Sequence, residues 1–181
     1  GQHGVFNAET ICNIANAALA VGVAPLARVK SLADPDTPIL LDNGVSGIIF
    51  PDINTPEEAR RAVEICRFPP LGRRSVGGSF PRFDGGAMPA AEAVPALNAS
   101  PVVVVMVETA RGLENIEKIA AVPGIDVLLM GTNDLCLEMG IPGGQGHPPI
   151  AAAADAVVAA CRRHGKTPAL GGVLLRDLLT T

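Results

Sequence analysis

Three polar residues stand just past apolar runs in the 181-residue chain: Arg28 after Pro25-Leu26-Ala27, Glu108 after Val102 to Val107, and Asp134 at the close of Met130-Gly131-Thr132-Asn133-Asp134. A fourth, His3, precedes the first helical stretch as a strand-exit residue would. In parallel β/α folds the carboxyl ends of the strands share one rim, so side chains distant in sequence converge there on a pocket. Two carboxylates on adjacent strand exits suit a hard divalent cation, Mg²⁺ or Mn²⁺ rather than zinc, with water and substrate oxygens completing an octahedron. Taken singly, Glu108 and Asp134 fit equally well as helix caps or surface ion pairs; together, and with a glycine-containing approach at Gly131, they favour a metal. Arg28 is always charged and offers a planar fork of donors for an enolate or carboxylate, although a lone strand-end arginine more often forms a salt bridge. His3 has the chemistry of a general base near neutral pH, yet a single histidine is usually structural or exposed, and its orienting partner cannot be read from these residues.

The elements that must position these residues alternate short apolar runs with helical stretches, the pattern of parallel strands joined by crossover helices. Asn7 caps a helix to about Val21, with Gly22 placed to end it, and Val23 to Ala27 reads as a strand. A short helix is expected within Pro35 to Asn43, then a strand at Ile48 to Phe50. Thr55, Pro56 and Glu58 form a helix start with a capping box, and that helix should end near Phe68-Pro69-Pro70. Leu71 to Gly86 resembles a long glycine-containing loop, and Ala87 to Leu97 is alanine-rich and helical. Val102 to Val107 is almost wholly β-branched, as expected of a strand buried on both faces. One helix then follows Thr109, with Leu113, Ile116 and Ile119 on one face, up to Pro123-Gly124. Val127 to Met130 is a strand, a helix runs from about Pro149 to Gly165, and Pro168 to Leu170 is a last short strand. Residues 1–181 read as one domain.

Composition removes other classes. Hydrophobic residues are 48% and charged residues 18%, a balance that favours a packed core over disorder. A net charge of −4 without a Lys/Arg cluster gives no footprint for nucleic acid or an anionic membrane. No apolar run reaches the roughly 20 residues needed to cross a bilayer. Cys12, Cys66, Cys136 and Cys161 form no CxxC pair, so reduced thiols and a soluble, cytoplasmic protein are the simpler reading. Arg73-Arg74-Ser75-Val76-Gly77-Gly78-Ser79 lacks the order of a nucleotide loop and reads as a mobile active-site or subunit-contact loop, with Arg74 and Arg82 expected at the solvated surface in preference to contact with an acidic aldehyde or a neighbouring chain. His147 and His164 read as structural, His164 lying near a helix end where positive charge is favourable.

The chain resembles the HpcH/HpaI aldolases in an ordered series: Gln2-His3-Gly4, Leu26-Ala27-Arg28, Gly47-Ile48-Ile49-Phe50-Pro51, Arg67-Phe68-Pro69-Pro70-Leu71-Gly72-Arg73-Arg74-Ser75-Val76-Gly77, Val107-Glu108-Thr109 and Gly131-Thr132-Asn133-Asp134-Leu135. The resemblance implies a (β/α)8 TIM barrel of the phosphoenolpyruvate/pyruvate-binding type and a class II aldolase that cleaves a 4-hydroxy-2-oxo acid to pyruvate and an aldehyde. It further implies Glu108 and Asp134 as ligands of Mg²⁺, Mn²⁺ or Co²⁺, Arg28 as the residue that binds pyruvate and stabilises its enolate, and His3 as a proton-transfer group. Gly131, Thr132, Asn133 and Asp134 would receive the substrate's carboxylate. No lysine stands at an obvious strand exit in these motifs, which disfavours an imine mechanism. The family also implies a homo-oligomer acting on small molecules, and oxaloacetate decarboxylation or a diene-forming reaction like that of macrophomate synthase as close variants.

Against that pattern the chain begins at what would be the second strand's exit and stops soon after Leu174-Leu175-Arg176-Asp177-Leu178-Leu179, so a barrel incomplete at both ends is expected. The family's aspartate partner for His3 would fall before Gly1. The alternative is a catalytically inactive, truncated barrel that binds a carboxylate metabolite or serves as an assembly subunit.

Overall fold

Asn7 opens the first helix, α1 (Ala8–Ala20), by accepting a hydrogen bond from the Thr10 amide at 2.9 Å. Gly22, at φ +77°, turns the chain away after it. The same turn places β1 later than the sequence suggests. The Val23 amide bonds the Ala18 carbonyl in the closing turn of α1, and Pro25 has no amide to offer, so β1 spans Leu26–Arg28 rather than Val23 to Ala27. The described residues of this computed structural model are 4–76 and 88–172.

The Cα packing divides the chain into two units, Gly1–Phe50 with Arg60–Val103, and Pro51–Ala59 with Val104–Thr181. In the first unit, α2 (Thr37–Asp42) separates β1 from β2 (Gly47–Phe50), and the two strands pair in parallel with Leu26 against Gly47 and Arg28 against Ile49. Ile48, Phe50, Val29 and Val45 are buried there. Helix α3 (Pro56–Cys66) is followed by Phe68, which packs with Ala93 and Leu97 of α4 (Ala90–Ala99). Asn98 holds that corner by accepting from the Phe68 amide at 2.7 Å and donating to its carbonyl.

The second unit carries the remaining strands. β3 (Val102–Val107) reaches it from Val104 onward and pairs in parallel with β4 (Val127–Gly131), which pairs in parallel with β5 (Thr167–Gly171). Every residue of β3 from Val103 to Val107 is buried, as its unbroken apolar run requires of a parallel strand covered on both faces. Between β3 and β4 the structure departs from the single expected helix. α5 (Ala110–Glu114) and α6 (Ile116–Ala120) are separated by Asn115, at φ −98° and ψ 4°, whose side-chain amide donates to the carbonyls of Arg111 and Asn54. A short amide side chain that bonds the backbone offers an alternative to the helical ladder, and here it ends one helix and begins another. Ile116 and Ile119 are buried as expected.

The capping box expected at Thr55 forms in full: the Thr55 hydroxyl accepts from the Glu58 amide at 3.2 Å, and the Glu58 carboxylate accepts from the Thr55 amide at 3.0 Å and the Asn54 amide at 2.7 Å. After β4, α7 (Thr132–Glu138) starts without a linker, and α8 (Pro148–His164) ends at Gly165, φ +64°, before β5. All four cysteines are free thiols. Among the described residues no helix is long and apolar enough to cross a membrane.

Helix α8 is tied to α6 through Glu117, whose carboxylate accepts from Arg163 at 2.5 Å and lies 2.7 Å from His164 Nε2. The Arg163 hydrogen bond first, and His164 second, hold the Glu117 carboxyl well below the usual carboxylate range, at about 2. Because the folded value lies below the ordinary 4.5, the contact adds stability above about pH 4.5 and loses it as pH falls toward 2. A carboxyl titration followed by NMR is expected to show this low midpoint, and Arg163→Gln to move it back up; equal midpoints in the two proteins would mean that the contact does not hold in solution.

Candidate functional site

Glu108 is the first residue past β3, and the residue is only 3% exposed. A buried carboxyl group needs hydrogen-bond donors, and one reaches it from a distant loop: the Asp52 amide donates to Oε1 at 3.1 Å. Asp52 follows Phe50-Pro51 at the end of β2 and adopts φ +55°, the left-handed region that few non-glycine residues enter. Alongside, the Ile53 amide bonds the Met106 carbonyl at 3.0 Å, so the loop lies against the last residues of β3.

The other flank of Glu108 is Gly131. Val107 pairs with Met130, which sets Glu108 level with the last residue of β4. A Cβ on Gly131 would fall 2.6 Å from Glu108 Oε2 and 2.8 Å from Glu108 Cβ, so only glycine leaves space for this carboxyl group. Gly131 is thus where the β4 exit comes closest to Glu108.

From Gly131 the chain enters α7 directly. Thr132 is buried and donates from Oγ1 to the Gly171 carbonyl at 2.7 Å, joining the exits of β4 and β5. Asn133 Oδ1 accepts from Gln145 Nε2 at 2.8 Å. Gly172, at φ +87°, follows β5 so closely that a Cβ there would meet Thr132 Oγ1 at 2.5 Å and Asn133 Oδ1 at 2.9 Å. Asp134 is exposed in the first turn of α7. At the far end of α7, Glu138 accepts from the Ala110 amide at 2.9 Å, a second tie between the segments that leave β3 and β4. Since β3 and β4 are parallel neighbours, Glu108 and the Gly131–Asp134 segment leave the sheet side by side at one end.

The donor set suits a hard cation in one respect and limits it in another. One carboxylate is buried in a pocket that a methyl group would fill, and another is exposed on the next strand exit. Among the described residues no group of three or more His, Cys, Asp or Glu side chains converges as a metal cluster. Magnesium-type ions take one or two carboxylates and keep water or substrate oxygens in their other positions, so such a pair fits them and does not fit a closed protein cage.

Of the other residues singled out in the sequence, Arg28 closes β1 in the first unit, where it is half-buried and paired with Ile49. His3 lies outside the described residues, as do Arg82, residues 77–79 and residues 174–179. Arg74 is not the solvated arginine expected. It is 4% exposed, with Nη2 2.6 Å from Asp42 Oδ1 and its guanidinium 4.7 Å over the Phe68 ring. The backbone of Arg73 and Arg74 is bonded to the Glu64 and Arg67 carbonyls at 2.8 Å, so this part of the supposed mobile loop is pinned. Sequence reading missed Asp52, Asn54, Asn115 and Gln145. Pro51-Asp52-Ile53-Asn54-Thr55 lies between a strand and a capping box, and that position at a strand exit was the available signal.

Residues 2–176 match the family described as HpcH/HpaI aldolase/citrate lyase. The 4-hydroxy-4-methyl-2-oxoglutarate aldolase cghB of Chaetomium globosum is 41% identical over 174 residues, covering 95% of this chain and 65% of that protein. A 4-hydroxy-2-oxo-heptane-1,7-dioate aldolase of Escherichia coli is 31% identical over 179 residues, covering 98% of this chain and 66% of that one. The chain thus spans about two thirds of the length of these relatives. The crystal structure of an HpcH/HpaI aldolase from Desulfitobacterium hafniense DCB-2 superposes with a TM-score of 0.91 at 28% identity, covering 99% of this chain and 69% of that one. The α/β class with parallel strands expected from the sequence is the fold found, and the solved structures it resembles are aldolases of TIM-barrel type.

The fit around Gly131 generates a test. Gly131→Ala is expected to displace the Glu108 carboxyl group and to lower stability by about 1–3 kcal/mol, the usual cost of overpacking. Urea unfolding measures it, and a loss below a few tenths of a kcal/mol would mean that Glu108 does not rest on Gly131.

Proposed function

The chain belongs to the HpcH/HpaI aldolase/citrate lyase family, and from that premise we propose that it is the core of a class II aldolase acting on pyruvate. The reaction is the reversible cleavage of a 4-hydroxy-2-oxo acid to pyruvate and an aldehyde or related carbonyl compound. The observation that carries this reading is Glu108, a buried carboxyl group lodged against Gly131 at the strand exit that leads into Asp134. The names of the two aldolase relatives, both acting on 4-hydroxy-2-oxo dicarboxylic acids, support the substrate class.

Glu108 and Asp134 would hold a divalent ion, Mg²⁺, Mn²⁺ or Co²⁺, which when bound draws electrons from the 2-oxo carbonyl and makes the adjacent carbon acidic. Glu108 contributes a ligand whose position is fixed by the Asp52 amide and by contact with Gly131, so little reorganisation accompanies binding. Asp134, exposed on the first turn of α7, contributes a carboxylate open to water and substrate. Gly131, Thr132, Asn133 and Asp134 form the segment assigned to the substrate's carboxylate, with the Asn133 side chain oriented by Gln145. Arg28 is assigned the negative charge of the enolate, and His3 the proton that leaves the 4-hydroxyl group as the C3–C4 bond breaks. Both assignments rest on the family resemblance. The electron pair of that bond passes to the enolate of pyruvate, which is protonated at C3. A homo-oligomer in the cytoplasm, with residues 1–181 forming a single domain, completes the proposal.

Deuterium exchange into the pyruvate methyl group, followed by NMR with Mg²⁺, Mn²⁺ or Co²⁺ present, isolates the enolisation step from the unknown aldehyde. Exchange is expected with at least one of these ions. Glu108→Ala and Asp134→Ala should each reduce it by at least the roughly 100-fold reached by changes outside a metal's immediate ligands. Absence of exchange with all three ions would overturn the assignment as an aldolase.

A further inference from the structure

The Asp52 amide that reaches Glu108 is itself held in place. Asn54 Nδ2 donates to the Asp52 carbonyl at 2.9 Å, while Asn54 Oδ1 accepts from the hydroxyl group of Thr109, the residue that follows Glu108. The contacts form a closed ring: Glu108 Oε1 to the Asp52 amide, the Asp52 carbonyl to the Asn54 side chain, that side chain to Thr109, and Thr109 by the peptide bond back to Glu108. The ring is anchored from outside. The Asn115 side chain donates to the Asn54 carbonyl at 3.0 Å, and Glu58 accepts from the Asn54 amide at 2.7 Å. Thr109 also accepts from the Gly112 amide at 3.0 Å as the cap of α5, so its hydroxyl hydrogen is directed to Asn54.

The conformation at Asp52 makes this ring functional as well as structural. At φ +55° a non-glycine residue sits in a sparsely populated region and stays there only when its surroundings enforce it. In that conformation the Asp52 amide donates to Glu108, and the side-chain bond on the carbonyl of the same residue comes from Asn54. We infer that Asn54 is a positioning residue for Glu108: its side-chain amide holds Asp52 in the left-handed conformation that aims the Asp52 N–H at the carboxylate of the proposed metal ligand. The inference rests on the reading of Glu108 as that ligand for its consequence, though not for its geometry. It gives the loop after β2 a task in the chemistry of β3, since a carboxylate that loses this donor is less firmly oriented toward the ion.

Two measurements on the full chain test it, one of them free of metal. In the first, amide hydrogen exchange at Asp52 is followed by NMR in the metal-free protein. Asn54→Ala is expected to speed that exchange by about tenfold or more. Asn54→Asp keeps the acceptor for Thr109 and replaces the donor to Asp52 by a carboxylate oxygen that repels the Asp52 carbonyl, so it should speed the exchange as well, and it serves for that measurement if the alanine variant does not fold. In the second, Mn²⁺ is titrated calorimetrically, and its dissociation constant should rise by about 10- to 100-fold, the range found when partners of metal ligands are removed. Adding Asp52→Gly to the Asn54 variant should recover a large part of both effects, because glycine adopts positive φ without restraint. Unchanged exchange at residue 52 in a folded Asn54 variant overturns the inference, as does a loss that Asp52→Gly fails to recover. Should exchange respond as expected while the parent protein binds no Mn²⁺, the positioning of Glu108 stands and the reading of the site as a metal centre falls.

Discussion

A carboxyl group buried at the end of a parallel strand is costly unless donors and space are provided for it, and much of the second unit's local architecture does so for Glu108. One donor comes from the loop after β2, where Asp52 takes an uncommon backbone conformation. The space comes from Gly131, whose missing Cβ lets two adjacent strand exits approach. Both depend on register. Were β3 to slip by one residue against β4, every side chain would change face and Glu108 would no longer stand over glycine. The registered pairing of Val104 to Val107 with Val127 to Met130 is therefore a condition of the site as well as of the core.

Much of the fold was legible because local signals and tertiary needs agreed. Val102 to Val107 could be assigned as a doubly buried strand from composition alone, and the Thr55–Glu58 box and Gly165 marked helix ends that occur where expected. The departures occur where one residue serves two elements. Val23 looks like the first residue of a strand, yet its amide closes α1. Leu113, Ile116 and Ile119 have helical spacing, yet Asn115 between them bonds a loop 61 residues away and divides the helix. Periodicity describes a side chain's preferred face and says nothing of a hydrogen bond to a remote carbonyl.

The same distinction governs the site. Glu108, Gly131 and Asp134 could be singled out because residue type and position after an apolar run already imply a strand exit. Asp52 and Asn54 could not, since their importance lies in bonds to Glu108 and Thr109 that span 56 and 55 positions. A positive φ at an aspartate leaves no trace in composition. Arg74 shows the converse error: in a sequence rich in glycine and arginine it resembles a solvated side chain, whereas Phe68 and Asp42 provide a ring face and a carboxylate that allow its burial.

The two carboxylates proposed to hold one ion differ in a way that suits that role. Glu108 is enclosed and held by the backbone, so its oxygens are available in one geometry; Asp134 is exposed, in the first turn of a seven-residue helix. A fixed ligand sets where an ion sits, and an open one leaves the neighbouring positions to water and to the oxygens of a small 2-oxo acid. On that proposal, the division accounts for the hydrogen bonds that run through Asp52 and Asn54 to the Glu108 side. Rigid support contributes most where the ligand is buried and cannot be corrected by solvent, and least where the substrate must enter.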